Sequence, residues 1–186
     1  MTNLNTPESK VHSAICLVEA NESSNIRLNA NGGNSILLVC EPHREQEYIH
    51  IIKTLMDPDK YELIDLNAIL CDFVTTNRHN LDESFELLKG SIPQIFMLPA
   101  GEQGADFFGL ILQAIERSLN TDKIPVLLRT GTLYGSGIDN IHIMENEIIM
   151  KASLPLIILY PAVRDKDKLM FLGSRPASNY RCVIIE

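Results

Sequence analysis

The sequence has no tryptophan, no closely spaced pair of cysteines, no excess of basic residues and no apolar run long enough to cross a bilayer. Each absence removes a class of protein. The longest apolar block, LPLIILYPAV, reaches about half of the roughly 20 residues a transmembrane helix needs, and it carries two prolines. The opening MTNLNTPESK shows no basic start followed by an apolar stretch, so neither export nor membrane anchoring is expected. Cys16, Cys40, Cys71 and Cys182 lie far apart without a CxxC pair, which suits a chain kept in a reducing cytosol. His12, His43, His50, His79 and His142 form no HxxxH or HExxH spacing, so no metal site is indicated. The formal net charge of -8 works against DNA or RNA as the main ligand, because lysine and arginine on phosphate supply most non-specific affinity.

What is present is an ordinary globular composition, 45% hydrophobic and 22% charged, in a chain of 186 residues. A domain of that size buries roughly 70% of its unfolded surface, so one domain over residues 1–186 folds without staples. Residues 1–34 are expected to hold an N-terminal helix and a polar loop, and 35–186 the core. PESKVHSAICLVEA has helical spacing, and NESSNIRLNANGGNS reads as a loop with a short extended piece at Ile26 to Leu28. ILLVC, YELIDL, QIFML and PVLLR are strand-like. REQEYIHIIKTLM, NAILCDFV, LDESFELLKG, GADFFGLILQAIERSL and IDNIHIMENEIIM are helical. In the LDESFELLKG helix, Asp82 and Glu83 are expected in the first turn and Gly90 at the end.

The closing segments LPLIILYP, KLMFLG and YRCVIIE leave no room for helices between them, and so should pair antiparallel or at an edge. Alternating strands and helices with uniformly apolar strands imply a three-layer, Rossmann-like α/β domain. Its sheet is mostly parallel, with antiparallel strands at the C-terminal edge.

In such a sheet, ligands bind beyond the carboxyl ends of the strands, which directs attention to CEPHRE, LPAGEQGAD, RTGTLYGSG and YPAVRDKD. RTGTLYGSG is glycine-rich, yet it lacks the second glycine and the lysine of a phosphate loop, and Asn140 stands where a dinucleotide fingerprint needs glycine. It reads as a strand end followed by a turn that uses glycine for positive φ. Arg129, at the end of a buried strand, either binds an anion or lies beside a neighbouring carboxylate, the second being favoured. Glu102 and Asp106 supply negative charge to a helix start, so that helix is expected to cap itself. Glu41 and His43 make a weak acid-base pair, no GxSxG elbow surrounds a serine, and no cysteine has an identifiable basic activator. No catalytic, cofactor-binding or metal-binding residue is therefore assigned.

Several landmarks come in a recognisable order: EPHREQEYIHIIKTLMDPDKYELIDL after the first core strand, then RTGTLYG, LPLIILYPA, LMFLG and NYRCVIIE. Together they resemble the BrxB family of bacterial BREX phage-defence systems, over most of the chain after Ile36 and most strongly toward its end. Two positions depart from the family pattern, Pro161-Ala162 where members often have Pro-Gly, and Tyr134-Gly135 where they often have proline after the aromatic. The resemblance implies a small cytoplasmic, non-enzymatic component without cofactor. It would act among other BREX components as an adaptor for a PglZ-like protein with an alkaline-phosphatase domain, with no direct nucleic-acid or membrane contact. Arg129, Gly131, Tyr134, Tyr160, Pro161, Gly173, Tyr180 and Arg181 match the recurring pattern. As interface or anion-binding candidates they compete with plain structural roles: turns at the glycines, packed tyrosines with bonded hydroxyls, and Arg181 on a carboxylate. The alternative, from the strand-end loops themselves, is a nucleotide- or anion-binding α/β enzyme.

Overall fold

The computed structural model describes residues 6–20, 23–88, 91, 93–98, 106–178 and 180–186, with the side chains of 23–25 left aside. Helix α1 (Pro7–Glu19) starts where Thr6 and Ser9 cap each other: the Ser9 N–H donates to Thr6 Oγ1 at 3.2 Å and the Thr6 N–H to Ser9 Oγ at 3.1 Å. A short helix α2 (Ser23–Asn29) follows, then strand β1 (Ser35–Cys40), a 3-10 turn at Pro42–Arg44, helix α3 (Glu45–Leu55) and strand β2 (Tyr61–Asp65). Four helices come next, α4 (Leu66–Thr76), α5 (Arg78–Leu87), α6 (Pro93–Phe96) and α7 (Phe107–Asn120), before strand β3 (Ile124–Leu128). Short helices α8 (Asn140–Met144) and α9 (Glu147–Lys151) lead into the long strand β4 (Leu156–Asp165), and β5 (Lys168–Phe171), β6 (Arg175–Pro176) and β7 (Val183–Ile185) close the chain.

The main strand order is β2-β3-β4-β1-β7, all parallel, with β5 and β6 added antiparallel to the far half of β4. Continuous apolarity in β1, β3 and the first part of β4 follows from cover on both faces. On one face, Val11 of α1 and Tyr48, Ile49 and Ile52 of α3 pack on Ile36, Leu38, Val126 and Leu159. On the other, Phe73 of α4, Ile111 and Ile115 of α7 and Ile143 of α8 pack on Leu37, Leu127 and Ile158. The chain is thus a three-layer α/β domain of Rossmann-like type. Among the described residues, no helix is long and apolar enough to cross a membrane.

Four expectations need correction. Ile26 to Leu28 lie in helix α2 and are not extended: Ile26 is buried and Arg27 donates to the Met150 and Ala152 carbonyls at 2.9 and 2.7 Å, tertiary contacts that outweigh the turn-rich composition. QIFML is not a strand. Proline opens the α6 turn here, Ile95 is buried from it, and the Leu98 N–H is taken by Asp106 Oδ2 at 2.6 Å. Asp82 and Glu83 are past the first turn, because α5 starts at Arg78, while Gly90 lies outside the described residues. Finally, β5 and β6 are antiparallel as expected and β7 is at an edge, but β7 runs parallel to β1. The reason is local: the Arg181 carbonyl presses on Gly33, so the chain is back at the amino end of the sheet before β7 begins.

Candidate functional site

Two adjacent strands, β1 and β4, leave the sheet toward opposite faces, β1 into α3 and β4 into the hairpin that buries Phe171 with the other helices. Their carboxyl ends are where open α/β sheets usually hold ligands. Arg129, just past β3, has left-handed backbone (φ 57°, ψ 42°), a conformation that costs a non-glycine residue roughly 1 kcal/mol. Its Nε donates to Asp65 Oδ2 at 2.9 Å and its Nη2 reaches Gln46 Oε1 at 3.5 Å. The same Asp65 caps α4, its Oδ1 accepting the Asn67 N–H at 3.0 Å. The favoured reading of Arg129 as the partner of a neighbouring carboxylate is what the structure has. Thr130, next to it, is buried and donates to the Leu159 carbonyl at 2.8 Å, fastening the strand end.

The rest of this edge is acidic and tight. Burial pushes the Glu45 carboxyl up, and Asp65 adds to this against the opposing pull of Arg129. Glu41 Oε2, Glu45 Oε1 and the Tyr48 hydroxyl are buried and take part in no hydrogen bond among the described residues. Burial, with Glu45 and Glu41 nearby, also pushes the Cys40 thiol far up, which makes it a packed apolar group and not a nucleophile. Four carboxylates, Glu41, Glu45, Glu47 and Asp65, here face Arg44 and Arg129, with Arg44 held by Glu47 at 2.8 Å. An incoming anion would meet arginines already paired and carboxylates that repel it. Among the described residues, no group of three or more His, Cys, Asp or Glu side chains is placed to hold a metal ion.

The second region gathers residues that sequence order scatters. Tyr134, Tyr160 and Tyr180 all line one cavity of about 20 Å³, beside Asp139, Asn140 and Arg175. Tyr160 is fully buried, stacks on Phe171 at 5.0 Å and meets Tyr180 edge-on at 5.8 Å, and the two hydroxyls share a hydrogen bond at 3.1 Å. Burial pushes both phenols up, and the Asp139 carboxylate adds to this in each case. Tyr134 differs in being 57% exposed, lifted to the rim by the 3-10 turn at Thr130–Leu133 and released by Gly135 at φ +86°. Gly137, at φ +81°, then turns the chain back toward α8, as a positive-φ turn should. Arg175 grips Asp139 with two nitrogens, at 2.8 and 3.1 Å.

The remaining sequence candidates are elsewhere. Gly131 has no positive φ; an added Cβ would sit 3.3 Å from Leu172 Cδ2, so its role is close approach to the β5–β6 hairpin. Arg181 pairs with Glu145 at 3.0 Å, away from the tyrosine cavity, and Gly173 is a turn at φ +69°. Asp106 caps α7 through its Oδ1 on the Gly109 N–H at 2.6 Å, as the self-capping expectation had it, whereas Glu102 lies outside the described residues. Sequence reasoning missed Asp139, Asn140 and Arg175. The turn glycines place Asp139 and Asn140 at a helix start, but nothing along the chain links them to Arg175.

Fold and side-chain geometry together give a three-layer α/β domain with an Arg129–Asp65 ion pair at its strand ends and a small tyrosine-lined cavity beside the exposed Tyr134. No protein-family model, no curated protein and no solved structure matches the chain.

Proposed function

We propose that this chain is a non-enzymatic, BrxB-like component of a cytoplasmic BREX-type anti-phage system, an adaptor that binds a PglZ-like protein through the surface around Tyr134. The single observation that carries the reading is the convergence of Tyr134, Tyr160 and Tyr180 on one cavity, with Tyr134 exposed at its rim. Three positions that match the family pattern thereby line one cavity, and an exposed tyrosine beside an arginine over a packed floor is the composition of an interface hot spot. The arginine paired at Asp65 and the acidic strand ends favour this over an anion-binding enzyme.

The test is co-expression with a PglZ-like protein, followed by size-exclusion chromatography with light scattering. A co-eluting complex that loses about 30-fold in affinity on Tyr134→Ala, with thermal stability unchanged, is the expected result. Two separate peaks for the native pair, or a complex indifferent to Tyr134→Ala, refutes it.

A further inference from the structure

The tyrosine cavity has a chemical character that its aromatic wall alone does not specify. Its volume of about 20 Å³ accommodates one water-sized group. Asn140 contributes a side chain only 2% exposed, and its Oδ1 accepts no hydrogen bond among the described residues. Such a buried, unmet acceptor is costly unless a donor reaches it. Asp139 is the acidic residue among those lining the cavity, and beside the larger effect of burial its carboxylate raises both hydroxyls of the Tyr160–Tyr180 pair. In the chain as it stands, the positive charge next to this wall comes from its own Arg175, whose side chain is half exposed on a strand of two residues.

From these features we infer that the cavity is an anchor for the ammonium group of a lysine side chain on a protein partner. An ammonium is the size of a water and carries three donors, matching one unmet amide oxygen, a carboxylate and an aromatic rim. A planar guanidinium is larger than the cavity. The aliphatic stem of the lysine would lie across the exposed ring of Tyr134, as lysine stems do on apolar surface. The formal net charge of -8 favours a basic segment on the partner. Arg175 then acts as an internal competitor, holding Asp139 until the partner's lysine takes it over. The inference rests on the reading of this surface as a docking face and specifies what it recognises.

The experiment is a titration of the ¹⁵N-labelled full chain, followed by amide chemical shifts, with Nα-acetyl-lysine methylamide as probe. The Nε-acetylated form of the same probe keeps the stem and removes the charge, and Nα-acetyl-arginine methylamide keeps the charge and enlarges the head. The expected result is saturable shifts confined to residues 134–140 and 175–180 with the lysine probe, and a dissociation constant on the order of millimolar for so small a ligand. Both controls should bind several-fold more weakly. Arg175→Gln should tighten the lysine probe roughly two- to five-fold by releasing Asp139, a gain that a merely structural role for Arg175 does not give. Equal response to the charged and acetylated probes, no localised shifts, or weaker binding in Arg175→Gln overturns the assignment. A complex with the PglZ-like protein that persists while the lysine probe is silent overturns the anchor alone, whereas a lysine response without complex formation supports the anchor and removes that partner.

Discussion

Replacing Asn34 should be among the most costly single changes outside the apolar core, and the cost can be worked out bond by bond. Asn34 is fully buried, and its Nδ2 donates to the carbonyls of Ile149, Ala152 and Leu154 at 3.1, 3.0 and 2.9 Å, gathering the end of α9 and the approach to β4. In Asn34→Ala the Ile149 carbonyl keeps the Ala152 N–H at 3.2 Å, and the Ala152 carbonyl keeps Arg27 Nη2 at 2.7 Å. Leu154 is the carbonyl that depends on Asn34. One buried acceptor stripped of its donor costs about 1–3 kcal/mol, and deleting the already unpartnered Asn34 Oδ1 recovers part of that. A net loss of about 1–2 kcal/mol follows, which is a shift of about 0.5–1 M in the urea midpoint at an m-value near 2 kcal/mol/M. Asn34→Asp should be worse by at least about 1 kcal/mol, since it sets acceptor oxygens against three carbonyls or buries a charge. Urea unfolding followed by circular dichroism, with m unchanged, measures both. A loss in Asn34→Ala below about 0.5 kcal/mol, or Asp no worse than Ala, would refute the idea that these donor bonds hold the α9–β4 connection.

Four further outcomes are expected. Gly33→Ala should prevent folding or cost more than about 3 kcal/mol, because the new Cβ overlaps the Arg181 backbone carbonyl, whereas Gly32→Ala, at φ +87° in open space, should cost only about 1 kcal/mol; midpoints within error of each other contradict this. Of the four cysteines, exposed Cys16 and Cys71 should react with a thiol reagent in the folded protein and buried Cys40 and Cys182 only after unfolding. With burial pushing Cys182 up to about 12 from 9.0 and Tyr61 up to about 12 from 10.0, the unfolded chain releases these protons first, so stability should fall as pH rises from about 9 to 12; a flat thermal midpoint over that range opposes it. Glu45→Gln should stabilise the protein at pH 7: burial raises its carboxyl, so above the ordinary carboxylate range ionising it costs more in the folded state than in the unfolded chain, and glutamine removes that penalty. The gain should shrink on going to pH 4, and a gain independent of pH goes against burial as its cause.

The parts of the fold legible in the sequence were those where one local signal sufficed. Continuous apolarity marked β1, β3 and β4, amphipathic spacing marked α7, and glycine punctuation marked the turn through Gly135 and Gly137. Helix α2 was not legible, because Asn, Ser and Gly argue for a turn and the opposing terms, the buried Ile26 and the reach of Arg27 to α9, are tertiary. QIFML, a short apolar run behind a proline, fits a strand and a helical turn equally well by periodicity. The direction of β7 depended on where the chain lay at Gly33, which no spacing encodes. At the site, the tyrosines could be singled out by resemblance, but their convergence could not, and the Asp139–Arg175 grip joins two elements whose pairing follows only from the hairpin's position on β4.

The usual ligand edge of this fold is closed by a structural debt that Arg129 and Asp65 share. The Arg129 Nε is held by Asp65 Oδ2, and Asp65 also accepts the Asn67 and Ala68 N–H groups at 3.0 and 3.3 Å, so an anion that drew Arg129 away from Asp65 would loosen the start of α4. The two contributions together, an ion pair and a cap, are worth about 1–2 kcal/mol, which an anion facing Glu41, Glu45 and Glu47 would have to exceed before gaining any affinity. The tyrosine cavity has an ion pair of its own, Arg175–Asp139, but Tyr134 stands outside it. Its ring is exposed, its backbone turn is already released by Gly135, and the Tyr160–Tyr180–Phe171 stack beneath it is packed before any partner arrives. A preorganised aromatic floor with an exposed anchor lowers the ordering cost of association, so under the proposed reading the partner is expected at Tyr134 and not at the Arg129–Asp65 ion pair.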